Sequence, residues 1–255
     1  MSVENGEWVM HGIDWSHPDC IHTVEELENY IEECGFLPLF ANEIPGFSVE
    51  ERTDPVYWWT GIEDRDPWTW REIIARRHKV AYGKFFDKRA GFISLKWLPV
   101  FANARRCGYD FDAGWEDGRA SYREKKIMDF YMEDGDSGIL WKDVDILSSE
   151  LKVKAGFGKG GEKNFPGITT GLQMQTYLVT SDFRRKKNKK GEEYGMAVAI
   201  YLPPETIWGY KEVTKNYKES PDASWEKIYG YLKDRFTNIE DGDIIKVIGK
   251  KQNYK

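Results

Sequence analysis

The stretch from Thr176 to Leu202 limits the possible folds of this chain more than any other. Two apolar-rich segments, TYLVTSDF and YGMAVAIYL, flank a run from Arg184 to Lys190 in which six of seven residues are basic. β-Branched and aromatic residues on both sides of a polar turn specify an antiparallel hairpin. Such a hairpin carries its own apolar face and must pack against something that precedes or follows it.

What precedes it has a recognisable order. SYREKKIMDFYME reads as a helix and ILW as a short strand. DVDILSSELKVKAG reads as a helix capped by Asp143, with Val144, Leu147 and Leu151 inward. A glycine-rich turn, GFGKGGEKN, leads to a helix over FPGITTGLQMQ, where Phe165, Ile168 and Leu172 recur at spacings of three and four. Helix, strand, helix, helix, strand, loop, strand is the order of a winged helix-turn-helix, in which the third helix lies in the DNA major groove and the wing touches the neighbouring backbone. On that reading Arg184, Arg185, Lys186, Lys187, Lys189 and Lys190 form the wing tip. Thr169, Thr170 and Gln173 then turn away from the apolar face, toward base edges or phosphates. The competing reading is a hairpin turn whose lysines are simply solvated.

The earlier part of the chain repeats the theme in weaker form. CIHTVEELENYIEECG is a helix with Thr23 and Glu26 as a capping box and Gly35 as its stop. Asp66 and Pro67 open a second helix, followed by strands VAYGKFF and AGFIS about the turn DKR, and a helix from Trp97 to Arg106. Ser220 and Pro221 open a helix carrying Trp225, Ile228, Tyr229, Leu232 and Phe236, and DIIKVIG reads as a final strand. The expectation is an α+β protein of tandem winged-helix units. Residues 1–112 would be a helical segment with a first unit, 113–210 the unit with the basic wing, and 211–255 an extension packed on the same body.

Composition bears on partners. The net charge is -6, which argues against a grip on nucleic acid over the whole surface and leaves room for a local basic footprint. The three cysteines are widely spaced, no apolar leader precedes them, and no run approaches the ~18 apolar residues of a membrane span. A cytoplasmic protein with reduced thiols, away from the membrane, is the expectation. GFGKGG lacks the GxxxxGK[ST] pattern, so no nucleotide cofactor is expected. DWSHPDCIH gathers Asp14, His17, Cys20 and His22 at spacings that match no zinc motif, so no metal is expected either.

Three stretches, PWTWREIIARRHKVAYGKFFDKRAGFIS, GYDFDAGWEDGRASYREKKIMDF and KAGFGKGGEKNFPGITTGLQMQTYLV, resemble bacterial proteins described as AlkZ-related. These are distant kin of the AlkZ/YcaQ-type winged-helix DNA glycosylases. The resemblance implies duplex DNA as partner and base excision as a possible activity. Those glycosylases use a Gln-x-Gln or Gln-x-Asp pair, and GLQMQ sets Gln173 and Gln175 at that spacing, although the family's pair lies near the amino terminus. Side chains two apart diverge on a helix, so Gln173 is expected to face DNA and Gln175 to be structural.

A second set of candidates comes from glycosidic chemistry. Cleavage needs a carboxylate or amide to orient water beside an oxocarbenium-like centre. Asp110 and Asp112 in GYDFDAGWEDG are candidates for that role, with Tyr57, Trp58 and Trp59 of VYWWTG as walls for a flipped base. The leading expectation is a winged-helix protein that binds duplex DNA through its basic wing. The alternatives are a glycosylase of the AlkZ-related kind and a winged-helix module whose wing meets an acidic protein.

Overall fold

The computed structural model describes residues 2–4, 6–136 and 138–252. It is a mixed α and β fold with small antiparallel sheets. A short hairpin, β1 (Ser2–Glu4) and β2 (Glu7–Val9), comes first, then α1 (Val24–Cys34) and β3 (Phe36–Pro38). The Thr23 hydroxyl accepts from the Glu26 amide at 3.1 Å and starts α1 as its sequence specifies. Gly35 ends it at φ 77°, where a Cβ would lie 2.3 Å from the Trp97 indole nitrogen. No other residue fits that turn.

Helix α2 (Pro67–Arg77) leads into β4 (Val80–Phe86) and β5 (Arg89–Ser94), and β3 completes a sheet in the order β3-β5-β4. Helix α3 (Leu98–Arg106) packs on α10 (Pro221–Arg235), and α11 (Asp241–Ile248) on α10 and β4. Together these elements bury one core, including Leu27, Ile31, Phe36, Trp70, Phe92, Phe101, Leu232 and Ile244. The last segment, DIIKVIG, is thus a helix and not a strand: Ile244, Val247 and Ile248 are buried at helical spacing.

The middle of the chain builds a second core around Phe111, Ile127, Met128, Tyr131, Leu151, Leu172 and Leu178. It comprises α4 (Phe111–Glu116), α5 (Tyr122–Met128), β6 (Met132–Gly135) paired with β7 (Gly138–Trp141), α6 (Ser148–Lys154) and α7 (Phe165–Met174). The hairpin β8 (Val179–Lys187) and β9 (Glu193–Leu202) follows, then α8 (Pro204–Trp208) and α9 (Tyr210–Val213). Helix α6 begins five residues after Asp143, so that residue does not cap it; Leu147 instead bridges Ile200 of β9. Among the described residues, no helix is long and apolar enough to cross a membrane.

Hairpin β8–β9 is the wall common to both cores. Val179 belongs to the first and its register partner Leu202 to the second. Arg106, at the end of α3, is fully buried and clasps the two halves together. Its guanidinium donates to Glu205 of α8, to Thr176 Oγ1 at 3.2 Å, to the Thr176 carbonyl at 2.6 Å and to the Tyr217 hydroxyl at 3.2 Å. The Arg106 side of this buried pair is densely hydrogen-bonded, and removing one partner would cost about 3–5 kcal/mol.

Candidate nucleic-acid interface

The geometry of the site starts at Asp66. Its carboxylate accepts from the amides of Trp59 (3.1 Å), Gly61 (2.8 Å) and Trp68 (2.8 Å) and from the Thr69 hydroxyl (3.3 Å). It therefore caps α2 and ties the preceding loop to it. The loop delivers Trp59 at φ 60°, a left-handed conformation rare for a bulky residue, with half of its surface in water. Such backbone strain persists only where the surroundings over-determine it.

Behind Trp59 and Trp68, Arg71 of α2 is buried with its guanidinium between two rings, 3.6 Å from the Trp68 centroid and 4.3 Å from that of Phe183 on β8. Desolvated contacts of this type contribute roughly 2 kcal/mol. They fasten α2 to the hairpin, and Arg76 adds a 2.8 Å bond to Asp182. Across from α2, β4 meets the end of α7. The Gln173 amide oxygen accepts from the Lys84 backbone at 3.0 Å, next to an irregularity in the β4–β5 register, and its nitrogen donates to the Thr169 carbonyl at 3.1 Å.

These contacts leave a cleft of about 850 Å³ between the β4–β5 and β8–β9 hairpins. Phe40, Trp59, Trp68, Tyr82, Phe183 and Tyr201 line it, Lys84, Lys88, Arg89 and Arg185 bring positive charge to it, and Glu72 and Gln173 supply polar groups. Aromatic planes beside cations suit a stacked base with its phosphates.

A family model described as AlkZ related matches residues 21–249. The chain belongs to the AlkZ-related family. No curated protein and no solved structure matches it.

Within this AlkZ-related chain the sequence candidates divide. Thr169, Thr170 and Gln173 are buried and not presented to solvent, because β4 packs on the α7 face they occupy. The Thr169 hydroxyl donates to Phe165, and Gln173 is spent on Lys84 and Thr169, so α7 offers no free recognition face. Gln175 points elsewhere, donating to Glu124 at 3.0 Å. The two amides do not converge, as the helical spacing requires, but it is Gln173 that is locked inside and that borders the cleft.

Of the proposed aromatic walls only Trp59 reaches the cleft. Trp58 is buried with its indole bound to Thr53 at 3.0 Å, and Tyr57 packs edge-on against Trp15. Neither Asp110 nor Asp112 joins them. Asp110 accepts from the Tyr210 hydroxyl at 2.7 Å, and burial raises its carboxyl above the usual range against the opposing effects of that bond and of Arg106. Asp112 borders a separate groove with Trp115, Glu116 and Lys125. The pocket combining Trp58 or Trp59 with Asp110 or Asp112 does not exist, because those pairs lie on different elements with different neighbours.

The basic run also differs from a free loop. β8 continues through Lys187, and only Asn188 to Glu192 form the turn. Arg184 is committed to Asp145 and Asp182. Arg185, Lys186, Lys187, Lys189 and Lys190 take no part in an ion pair within the described residues. Arg185 borders the cleft, whereas Lys186 and Lys187 border a groove beside α6 with Val153 and Tyr194. The sequence alone did not reveal Arg71, Glu72, Lys84 or Lys88. A pointer to Arg71 and Glu72 is the WTWRE pattern, aromatics beside charges in one helix.

Proposed function

We propose that the protein binds duplex DNA through the β8–β9 hairpin and receives one unstacked nucleotide in the cleft beside it. Residues 113–210 are read here as a winged helix-turn-helix, with β8–β9 as the wing and the Leu147–Ile200 bridge as the short third strand of its sheet. Residues 1–112 and 211–255 form the body that supplies the opposite lip. Membership of the AlkZ-related family supports DNA as partner. The observation that carries the reading is the exposed, strained Trp59 facing a cationic hairpin across an aromatic cleft. The mode differs from major-groove reading, since α7 is covered. Phosphates meet the lysines, and the cleft takes a ring by stacking, which every base permits.

Base excision is the second reading, favoured by the one carboxylate in the cleft that is not used as a cap, Glu72, paired with Arg71 at 3.0 Å. A duplex carrying 2-aminopurine opposite an abasic position tests the first reading. Binding should quench its fluorescence further through Trp59, and Trp59→Ala should abolish that added quenching while leaving the salt dependence of binding intact. Quenching unaffected by Trp59→Ala would remove the cleft from the interface. Release of abasic product from alkylated duplex, lost in Glu72→Gln, would establish the enzyme.

A further inference from the structure

On the far side of the α7 terminus from the cleft lies a second, much smaller cavity of about 110 Å³. Arg105, Arg106 and Arg119 line it, with Gln175, Tyr177 and Gln252, and no carboxylate does. Three guanidiniums without an acid is an unusual wall, and the three are not equivalent. Arg106 is neutralised by Glu205. Arg119 is exposed, lies over the Tyr109 ring at 4.3 Å and takes part in no ion pair within the described residues.

Arg105 is the anomaly. It donates only to backbone carbonyls, those of Phe85 at 2.7 Å and Ile248 at 3.2 Å, and its Nη1 is shielded from solvent with no acceptor among the described residues. Burial pushes this guanidinium down to about 9, with no acidic neighbour holding it up. Buried charges are ordinarily paired, because an unpaired one costs several kcal/mol. Here its field falls on a small polar space instead. Gln252 adds an amide group, the Gln175 amide being bound to Glu124 and Gly171, to a cavity far too small for a stacked base and suited to a compact anion.

We propose that this cavity is a binding site for a phosphate group, either free inorganic phosphate or the terminal phosphate of a nucleic-acid strand. Arg119 at the mouth makes the direct contact and Arg105 supplies the uncompensated charge behind it. The site is independent of the cleft, and the reading of the cleft can fail without affecting it.

The test is titration calorimetry of the full chain with sodium phosphate at constant ionic strength, repeated with Arg119→Gln. Because Arg119 is exposed, that variant should fold, and circular dichroism checks it. Lys96→Gln, at the other end of α3, controls for the lost charge. Saturable one-to-one binding, weakened at least tenfold by Arg119→Gln and unchanged in Lys96→Gln, is the expected result. Competition of phosphate with a 5′-phosphorylated oligonucleotide but not its hydroxyl-ended counterpart would assign the strand end as the source; equal indifference to both, with phosphate still bound, would assign the free ion. Absence of saturable phosphate binding together with no preference for phosphorylated ends overturns the site, as does full affinity in Arg119→Gln.

Discussion

Neutralising the hairpin cations is the sharpest test of the proposal that this protein meets DNA through β8–β9. Among the described residues Arg185, Lys186, Lys187, Lys189 and Lys190 take part in no ion pair, so each is available to a phosphate, whereas Arg184 is held by Asp145 and Asp182. Each contact contributes about 0.9 to the slope of log affinity against log salt, so five give about 4.5. Between 50 and 200 mM salt this amounts to about 2.7 decades, or roughly 500-fold. Replacing all five by glutamine should remove that much of the slope, measured by fluorescence anisotropy with a labelled duplex across a salt series. Arg184→Gln serves as the internal contrast. It should leave the slope unchanged and lower the melting temperature slightly, because exposed ion pairs contribute at most about 1 kcal/mol. A quintuple variant that binds with the wild-type slope would refute the assignment of the hairpin as the phosphate contact, whatever its absolute affinity.

Gln173→Leu should destabilise the fold by about 1–3 kcal/mol in urea denaturation, since it strands the Lys84 amide in the interior; a neutral outcome would mean that water replaces the bond. Asp110→Asn probes the raised carboxyl. Its folded pKa lies above its unfolded one, so its contribution is most favourable at low pH and is lost as pH rises through the folded value. The variant should therefore melt higher than wild type by about 1–3 °C at pH 7.5, with the gain vanishing toward pH 4; a gain independent of pH would exclude the ionisation as its cause.

Local signals in the sequence are legible where a single residue dictates geometry. Thr23, Gly35, Asp66 and Ser220 start or stop helices as their chemistry requires, and DKR turns β4 into β5 through Asp87 and Lys88 at positive φ. Failures came where the same letters serve two structures. In DIIKVIG the apolar residues suit a strand, but Ile244, Val247 and Ile248 equally make one helical stripe, and packing against α10 and β4 selects it. The helix expected through Met132 and Glu133, where Met132 continues an apolar pattern, ends at Met128, and those two residues open strand β6, paired with β7 over the expected strand ILW. The α7 face differs from its sequence expectation for another reason. Thr169, Thr170 and Gln173 are polar, and polarity alone suggests water, yet each can be buried once a neighbouring strand supplies or spares its hydrogen bonds. The cleft is illegible for a related reason: residues that line its two lips, such as Ala90 and Thr180, stand 90 residues apart in sequence.

The shared wall between the two cores divides evolutionary freedom along a single hairpin. At its root, Val179 answers to one interior and its register partner Leu202 to the other, so a change of size at either is felt across the pair. Eleven and twelve residues beyond Val179, Lys190 and Gly191 are exposed, and a side chain built at Gly191 would meet no described atom. Lengthening or recharging that tip leaves both interiors untouched. The outer letters can therefore change while the inner ones hold the spacing of the cleft constant.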